Sequence, residues 1–301
     1  MRVLIIGSHG MLGQELPRAF AGADVVGWGR GDCDITDADA VRARVAALAP
    51  DVCINATAYN AVDRAEEDAA TAMAVNGVAV GALAEAAATI GATFVHYSTE
   101  YVFDGSKRDG YAEDDAPNPI NAYGRSKAAG EHALCEVARA HPAWRWYLIR
   151  TSRLFGLPGA SANAKRGFVD TMLALSAEKD RLEVVDGEES SPTYAPDLAR
   201  ATRALIERGA PSGVYHRTND GYCTWFGFAA AIFRITGWRG TLVPVAASAY
   251  PRPAKRPASV VLRTTKLPPM RRWEDALAEY LDPSLISAGA PRARSSSPDG
   301  R

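Results

Sequence analysis

The chain is poor in the residues that build disulfide frameworks and metal sites. Among 301 residues, four are cysteine and five are histidine. Cys33, Cys53, Cys135 and Cys223 lie far apart and none has CxxC spacing, so no zinc module is legible and no metal is expected. The cysteines are expected to be reduced and packed. Charge of either sign is not in excess. A formal net charge of -1 gives no global electrostatic case for nucleic acid or an anionic membrane. Long apolar runs are also missing, since no stretch approaches the roughly 20 apolar residues of a membrane span. The opening MRVLIIGSHGMLG passes from a short apolar run straight into glycines, unlike a leader with its cleavage site. The expected compartment is the cytoplasm. What is present is ordinary: 47% hydrophobic and 23% charged residues, enough for one or two domains with a buried core.

The first half alternates short apolar runs with amphipathic ones. Residues 3–6, 23–28, 52–55, 93–98 and 145–150 read as strands. Residues 11–21, 37–48, 72–90 and 124–140 read as helices, with Thr36 as N-cap of the second. Strands alternating with helices predict an α/β fold: a Rossmann-type, doubly wound parallel sheet covered on both faces. The second half is less regular. Helices are expected at 168–176, 196–208 and 225–235, and short strands at 182–185 and 214–216. Prolines and glycines punctuate this half, with no clean linker and no internal repeat. We therefore expect residues 1–155, with parts of 182–217, to form a dinucleotide-binding domain. Residues 156–286 would form a smaller, interleaved α/β substrate lobe at the carboxyl edge of the sheet. The serine-, arginine- and glycine-rich segment 287–301 would be a disordered tail.

Gly7, Gly10 and Gly13 form GxxGxxG between a strand and a helix, the context in which such a triplet binds a dinucleotide. Gly7 permits the tight turn, Gly10 the approach of the pyrophosphate, and Gly13 close helix packing. The helix N-terminus would offer free N–H groups to the phosphates. After the second strand the run is Gly27, Trp28, Gly29, Arg30. The acidic residue that would bond the ribose of NAD is missing there, and an arginine suited to a 2′-phosphate stands in its place. NADPH is therefore the expected donor and NADH the alternative. Arg30 as a merely solvated side chain, with Asp32 or Asp34 holding a ribose, stays open.

Tyr123 and Lys127 are four residues apart at the start of a helix, on one face. An ammonium there would lower the phenol's pKa from about 10 towards working pH. The phenol could then protonate a carbonyl oxygen as hydride reaches its carbon. Ser98 and Thr99 end the fourth strand, where open α/β sheets place ligands, and supply a hydroxyl to orient that carbonyl.

These residues sit in a longer set of motifs: INATAYNAVDRAE from Ile54, AVNGVAVGALAEAA from Ala74, HYSTEYVFDG from His96, YAEDDAPNPINAYGRSKAAGE from Tyr111, RTSRLFG from Arg150, SPTYAPDLA from Ser191, GVYHRTNDGYCTWFGFA from Gly213 and RPASVVLRTTKL from Arg256. Together they resemble the dTDP-4-dehydrorhamnose reductase family of extended short-chain dehydrogenases/reductases, from Met1 to about Leu281. The resemblance implies reduction of the 4-keto group of a nucleotide-linked 4-keto-6-deoxy sugar in deoxysugar biosynthesis. It implies Thr99, Tyr123 and Lys127 as the catalytic triad. It implies His9, Met11 and Leu12 beside the glycines, then Asp34, Ile35, Ala56, Ala58 and Tyr59, as cofactor contacts. Asn76 matches an asparagine of the family's fourth helix, either structural or linked to the active-site backbone. Tyr101 and Phe103 match an aromatic pair near the sugar, with packing in a loop as the alternative. Arg256 is placed to meet the nucleotide phosphates, or to brace the second lobe.

The sequence departs from the family pattern on the expected substrate side. Glu100 stands where aspartate is usual, Arg153 where tryptophan is usual, and DGEESSPT from Asp186 replaces an Asp-Gln-x-Gly-x-Pro-Thr segment. Arg153 loses a stacking surface and gains a cation that could pair with a pyrophosphate. Two alternatives therefore remain: a sugar-nucleotide epimerase or dehydratase of the same superfamily, and a non-catalytic dinucleotide-binding subunit. A homodimer is expected by analogy with the fold alone, and a divalent ion at Glu15 is the weakest of the readings.

Overall fold

A computed structural model describes residues 1–160 and 166–282. The expected tail at 287–301 lies outside the described residues. Five strands, β1 (Arg2–Ile6), β2 (Asp24–Trp28), β3 (Val52–Asn55), β4 (Thr93–Thr99) and β5 (Trp146–Thr151), pair in parallel with a sixth, Gly213–His216. Their order is Gly213–His216, β5, β4, β3, β1, β2. Successive side chains of one strand face opposite sides, so a strand covered on both faces must be apolar throughout. In β1, Val3 and Ile5 join one core with Val52, Tyr147 and Leu198, while Leu4 and Ile6 join another with Val41, Leu83 and Leu148.

The helices in this half are α1 (Leu16–Ala19), α2 (Ala38–Leu48), α3 (Ala69–Met73), α4 (Ala79–Thr89) and α5 (Ala122–Ala140). Three differ from expectation. The helix expected over 11–21 is reduced to four residues, and residues 7–15 form turns. The N-cap of α2 is Asp37, not Thr36: its carboxylate accepts from the N–H groups of Asp39 and Ala40. The helix expected over 72–90 starts three residues earlier and contains a π turn, Ala74–Val78, between α3 and α4. The run Ala69–Thr89 is also long and apolar enough to cross a bilayer by length and composition, against the expectation of no such stretch. Its Val80, Leu83, Ala84 and Ala87 pack in the core beneath the sheet.

The remaining elements build a second lobe over the carboxyl edge. Arg181–Val185 pairs with Thr241–Val245, and Leu154–Phe155 with Thr193–Tyr194, both in parallel; Glu189–Ser190 pairs with Cys223–Thr224 in antiparallel. Its core gathers Phe155, Leu182, Phe228, Trp273 and Leu277. The helix Ala195–Glu207 turns back, and its Leu198, Leu205 and Ile206 cover the main sheet. The main body thus recovers residues 195–216, whereas 181–185 stay in the small lobe.

Candidate active site

The strand order reverses between β1 and β3, which opens a crevice at their carboxyl ends. The glycine loop lies there. Gly7 has φ +85°, and a Cβ on it would stand 2.9 Å from the Ala56 carbonyl carbon and from Cγ2 of Thr57. A Cβ on Gly13 would overlap the Gly7 carbonyl oxygen. The N–H groups of Met11, Leu12 and Gly13 make no main-chain hydrogen bond among the described residues. This cradle, with free donors where side chains cannot fit, suits a pyrophosphate. The donors belong to turns and not to the helix terminus expected from the sequence.

Beyond β2, Arg30 is exposed and has no ion-pair partner among the described residues. Both nearby aspartates are engaged. The Asp32 carboxylate accepts from the Gly29 N–H at 2.7 Å, and Asp34 Oδ1 accepts from the N–H and hydroxyl of Thr36 at 3.0 and 2.7 Å. Those two bonds from Thr36 also hold the Asp34 carboxyl below its ordinary pKa. Leu12 and Ile35 are core side chains, so only their main chain can serve a ligand. His9 and Ala58 are exposed, and Met11 and Ala56 are half-buried, around the same crevice. Tyr59 is fixed by Asn76, whose amide accepts from the Tyr59 N–H at 2.8 Å and donates to its carbonyl at 3.0 Å.

The catalytic candidates meet where β4 ends and α5 begins. Asn121 caps α5 by accepting from the Gly124 N–H at 2.7 Å, which sets Tyr123 in the first turn and Lys127 one turn later. The Thr99 hydroxyl bears on the Tyr123 phenol, whose pKa it lowers. Thr99 Oγ1 donates to Glu100 Oε2 at 2.7 Å. The Tyr101 ring meets Tyr123 edge-on, with centroids 5.7 Å apart. Lys127 Nζ donates to the Tyr97 carbonyl at 2.6 Å and lies 3.2 Å from His96 Nε2.

The electrostatics differ from the simple expectation of an ammonium holding the phenol down. Burial pushes the Tyr123 phenol up, the Glu100 charge adds to this, and the Thr99 hydrogen bond opposes it. Burial also lowers Lys127 to about 8, partly offset by Glu131. Glu100 is itself raised by burial, against the hydrogen bond from Thr99. The site as it stands therefore favours neutral groups.

A small recess adjoins this cluster, lined by Glu100, Tyr101, Arg153, Glu188, Trp225 and Pro257 among others. Arg153 has φ 38°, rare for a side chain with a Cβ. Its guanidinium donates to the Cys223 and Glu188 carbonyls at 2.7 and 2.6 Å and stacks 4.0 Å from the Trp225 ring. The Glu188 carboxylate is paired with Arg252 and accepts from Trp225 Nε1 at 3.2 Å.

A family model described as "RmlD substrate binding domain" matches residues 1–286. A dTDP-4-dehydrorhamnose reductase of Burkholderia thailandensis is 40% identical over 286 residues, covering 89% of this chain and 92% of that protein. The chain belongs to the dTDP-4-dehydrorhamnose reductase family. Family members of known structure agree in architecture. One from Clostridium acetobutylicum is 36% identical with a TM-score of 0.87, covering 94% of this chain and 99% of that one. One from Bacillus anthracis, solved in complex with NADP, is 32% identical with a TM-score of 0.86, covering 93% and 98%.

Against the family-derived expectations, Thr99, Glu100, Tyr101 and Tyr123 converge, with Lys127 one turn away. Phe103 does not join them. It is 0% exposed and stacked on Tyr111 with centroids 4.1 Å apart, so it is a core residue out of a sugar's reach. Arg256 takes its bracing alternative: it pairs with Asp63 at 2.8 Å and lies 5.9 Å from the Tyr101 ring. Arg153 lines the recess, with two of its five N–H donors engaged by the Cys223 and Glu188 carbonyls. Glu15 is buried and paired with Arg18 at 3.0 Å. Trp225, Glu188 and Arg252 were missed because helix and loop periodicity does not tell which lobe residues face the edge. His96 lay inside a quoted motif; a polar residue within a fully buried strand was the signal.

Proposed function

We propose that this protein uses NADPH to reduce the 4-keto group of a nucleotide-linked 4-keto-6-deoxyhexose, in the manner of a dTDP-4-dehydrorhamnose reductase, within cytoplasmic deoxysugar biosynthesis. The observation that carries the reading is the cluster of Thr99, Glu100, Tyr101 and Tyr123, in which Thr99 bonds Glu100 and the Tyr101 ring meets Tyr123, with Glu100 and Tyr101 also lining the recess. When bound, the nicotinamide supplies hydride to the carbonyl carbon. The Gly7–Gly13 turns, Ala56, Ala58 and Tyr59 would hold the dinucleotide, and Arg30 its 2′-phosphate. Thr99 Oγ1 orients the ketone oxygen by donating to it. Tyr123 Oη gives that oxygen its proton. Lys127 holds the ribose and supports the phenolate that forms. Tyr101, Glu100 and Arg153 border the sugar.

Purified protein is mixed with NADPH and enzymatically generated dTDP-4-keto-6-deoxyhexose, with and without the 3,5-epimerase, and loss of the reduced nicotinamide absorbance is followed. Loss only with the epimerised sugar supports the rhamnose-type reaction. Loss with the unepimerised sugar moves the substrate to another deoxysugar. No loss from protein that binds NADPH sinks the reading. Tyr123→Phe is expected to lower turnover about 10²- to 10⁴-fold with NADPH binding retained.

A further inference from the structure

Lys127 sits at the end of a buried hydrogen-bond chain that starts on the cofactor side of the sheet. Thr57 follows β3, next to Gly7. Its main-chain N–H lies 3.1 Å from Asn55 Oδ1, and its hydroxyl lies 2.6 Å from the same atom. A main-chain N–H can only donate, so the atom facing it must be the amide oxygen. The orientation of the Asn55 amide is thereby fixed, and its NH₂ faces His96 Nδ1 at 3.1 Å. An amide NH₂ in turn can only donate, so Nδ1 accepts. A neutral imidazole carries one proton, which must then be on Nε2. His96 is 0% exposed, and burial holds its pKa well below the ordinary value. Protonating both nitrogens is therefore disfavoured. The Nε2–H points at Lys127 Nζ, 3.2 Å away. An ammonium has three donors and no lone pair, so this bond can form only to an amine.

We propose that Asn55 and His96 are positioning residues that fix the Nε2–H tautomer, and thereby hold Lys127 as an uncharged amine in the cofactor-free protein. The other groups facing Lys127 do not displace this arrangement. On α5, Tyr123 lies one turn before it, and Glu131 one turn after, engaged with Arg150 of β5 through bonds of 2.9 and 2.7 Å. On β4, the Tyr97 carbonyl accepts from the amine at 2.6 Å, while the Tyr97 phenol is turned to Thr202. The lowering of Lys127 by burial works in the same direction. Because Asn55 and Thr57 flank Ala56, the chain ties the cofactor-side strand end to the residue proposed to hold the ribose. The inference rests on Lys127 belonging to that site and not on which sugar is reduced.

The test uses the full chain without cofactor, labelled with ¹⁵N-histidine, and His96→Gln to assign the His96 signals. A protonated Nε2 with a bare Nδ1, unchanged across the neutral pH range, is expected. An Nδ1–H tautomer, or an imidazolium in that range, overturns the proposal. Asn55→Asp supplies the independent arm. Its carboxylate can still accept from Thr57, but also accepts from His96 and draws the proton to Nδ1. Nε2 then becomes an acceptor for an ammonium. The Lys127 titration, followed by lysine Cε NMR, should rise by about one to three pH units. A folded variant whose Lys127 midpoint does not move overturns the proposal. If Asn55→Asp does not fold, the wild-type tautomer decides alone. Neither measurement reads turnover, so a failed sugar assay and a failed tautomer assignment are distinguishable.

Discussion

Arg150 shows how much of the site's support is hidden from sequence spacing. It lies in β5 and makes a two-pronged pair with Glu131, both 4% or less exposed as whole residues. Glu131 also stands one turn from Lys127, so the pair bears on the face of α5 that carries the catalytic candidates. Breaking a buried pair leaves an uncompensated charge, which costs more than the pair itself contributes. Arg150→Met is expected to lower stability by about 3–5 kcal/mol in urea unfolding. A loss below about 1 kcal/mol would show that Glu131 finds other partners or is neutralised. At this scale the legible residues were those with a fixed spacing. Tyr123 and Lys127 are a helical i,i+4 pair, and the three glycines mark one turn-rich loop. For Phe103 and Arg256 the sequence left two readings open, because motif position does not tell which way a side chain points. Phe103 points into a stack with Tyr111, and Arg256 towards Asp63.

Among the elements, α5 depends on its first residue boundary. Asn121 both caps the helix through Gly124 N–H and donates to the Lys255 carbonyl at 2.9 Å, which anchors the second lobe. Asn121→Ala should cost about 1 kcal/mol for the cap alone. Because Tyr123 lies in the first turn, turnover should fall more than NADPH affinity does. A thermal melt paired with kcat and cofactor titration checks this; equal losses in both would mean the whole helix shifts. The helices and strands of the first half were readable because their apolar period is strong. The π turn at Ala74–Val78 was not, since one extra residue per turn barely disturbs an alanine-rich pattern. It delivers Asn76 to the Tyr59 main chain and to Ser126 Oγ at 3.0 Å, and Ser126 in turn donates to the Tyr123 carbonyl at 2.7 Å. The four-residue α1 was equally illegible, because a run of turns after a glycine loop carries the same periodicity as a helix.

Across the whole molecule the two lobes share one chain several times over. The chain leaves the sheet after β5, returns in Ala195–Glu207 and Gly213–His216, and leaves again. Gln14 beside the glycine loop donates to the Leu157 and Pro158 carbonyls, and Arg271 of the small lobe pairs with Asp197 at 2.7 Å. With so many crossings, neither lobe can unfold without exposing the core of the other. A single transition, coincident by fluorescence and circular dichroism, is expected on chemical denaturation. Two separated transitions would show independent lobes. The lack of a clean linker led to the expectation of interleaving, but it did not tell which segments return, because a short apolar strand reads alike in either lobe.

The returning strand also sets a condition on how the protein can be made. Among the described residues, Gly213–His216 is the neighbour of β5 on its outer side within the sheet. As the chain emerges during synthesis, β5 and its apolar flank wait as an unpaired edge until more than sixty further residues have followed. The main sheet therefore comes to completion only after much of the second lobe already exists, and a nascent chain halted at residue 155 is a ready template for sticking to its neighbours.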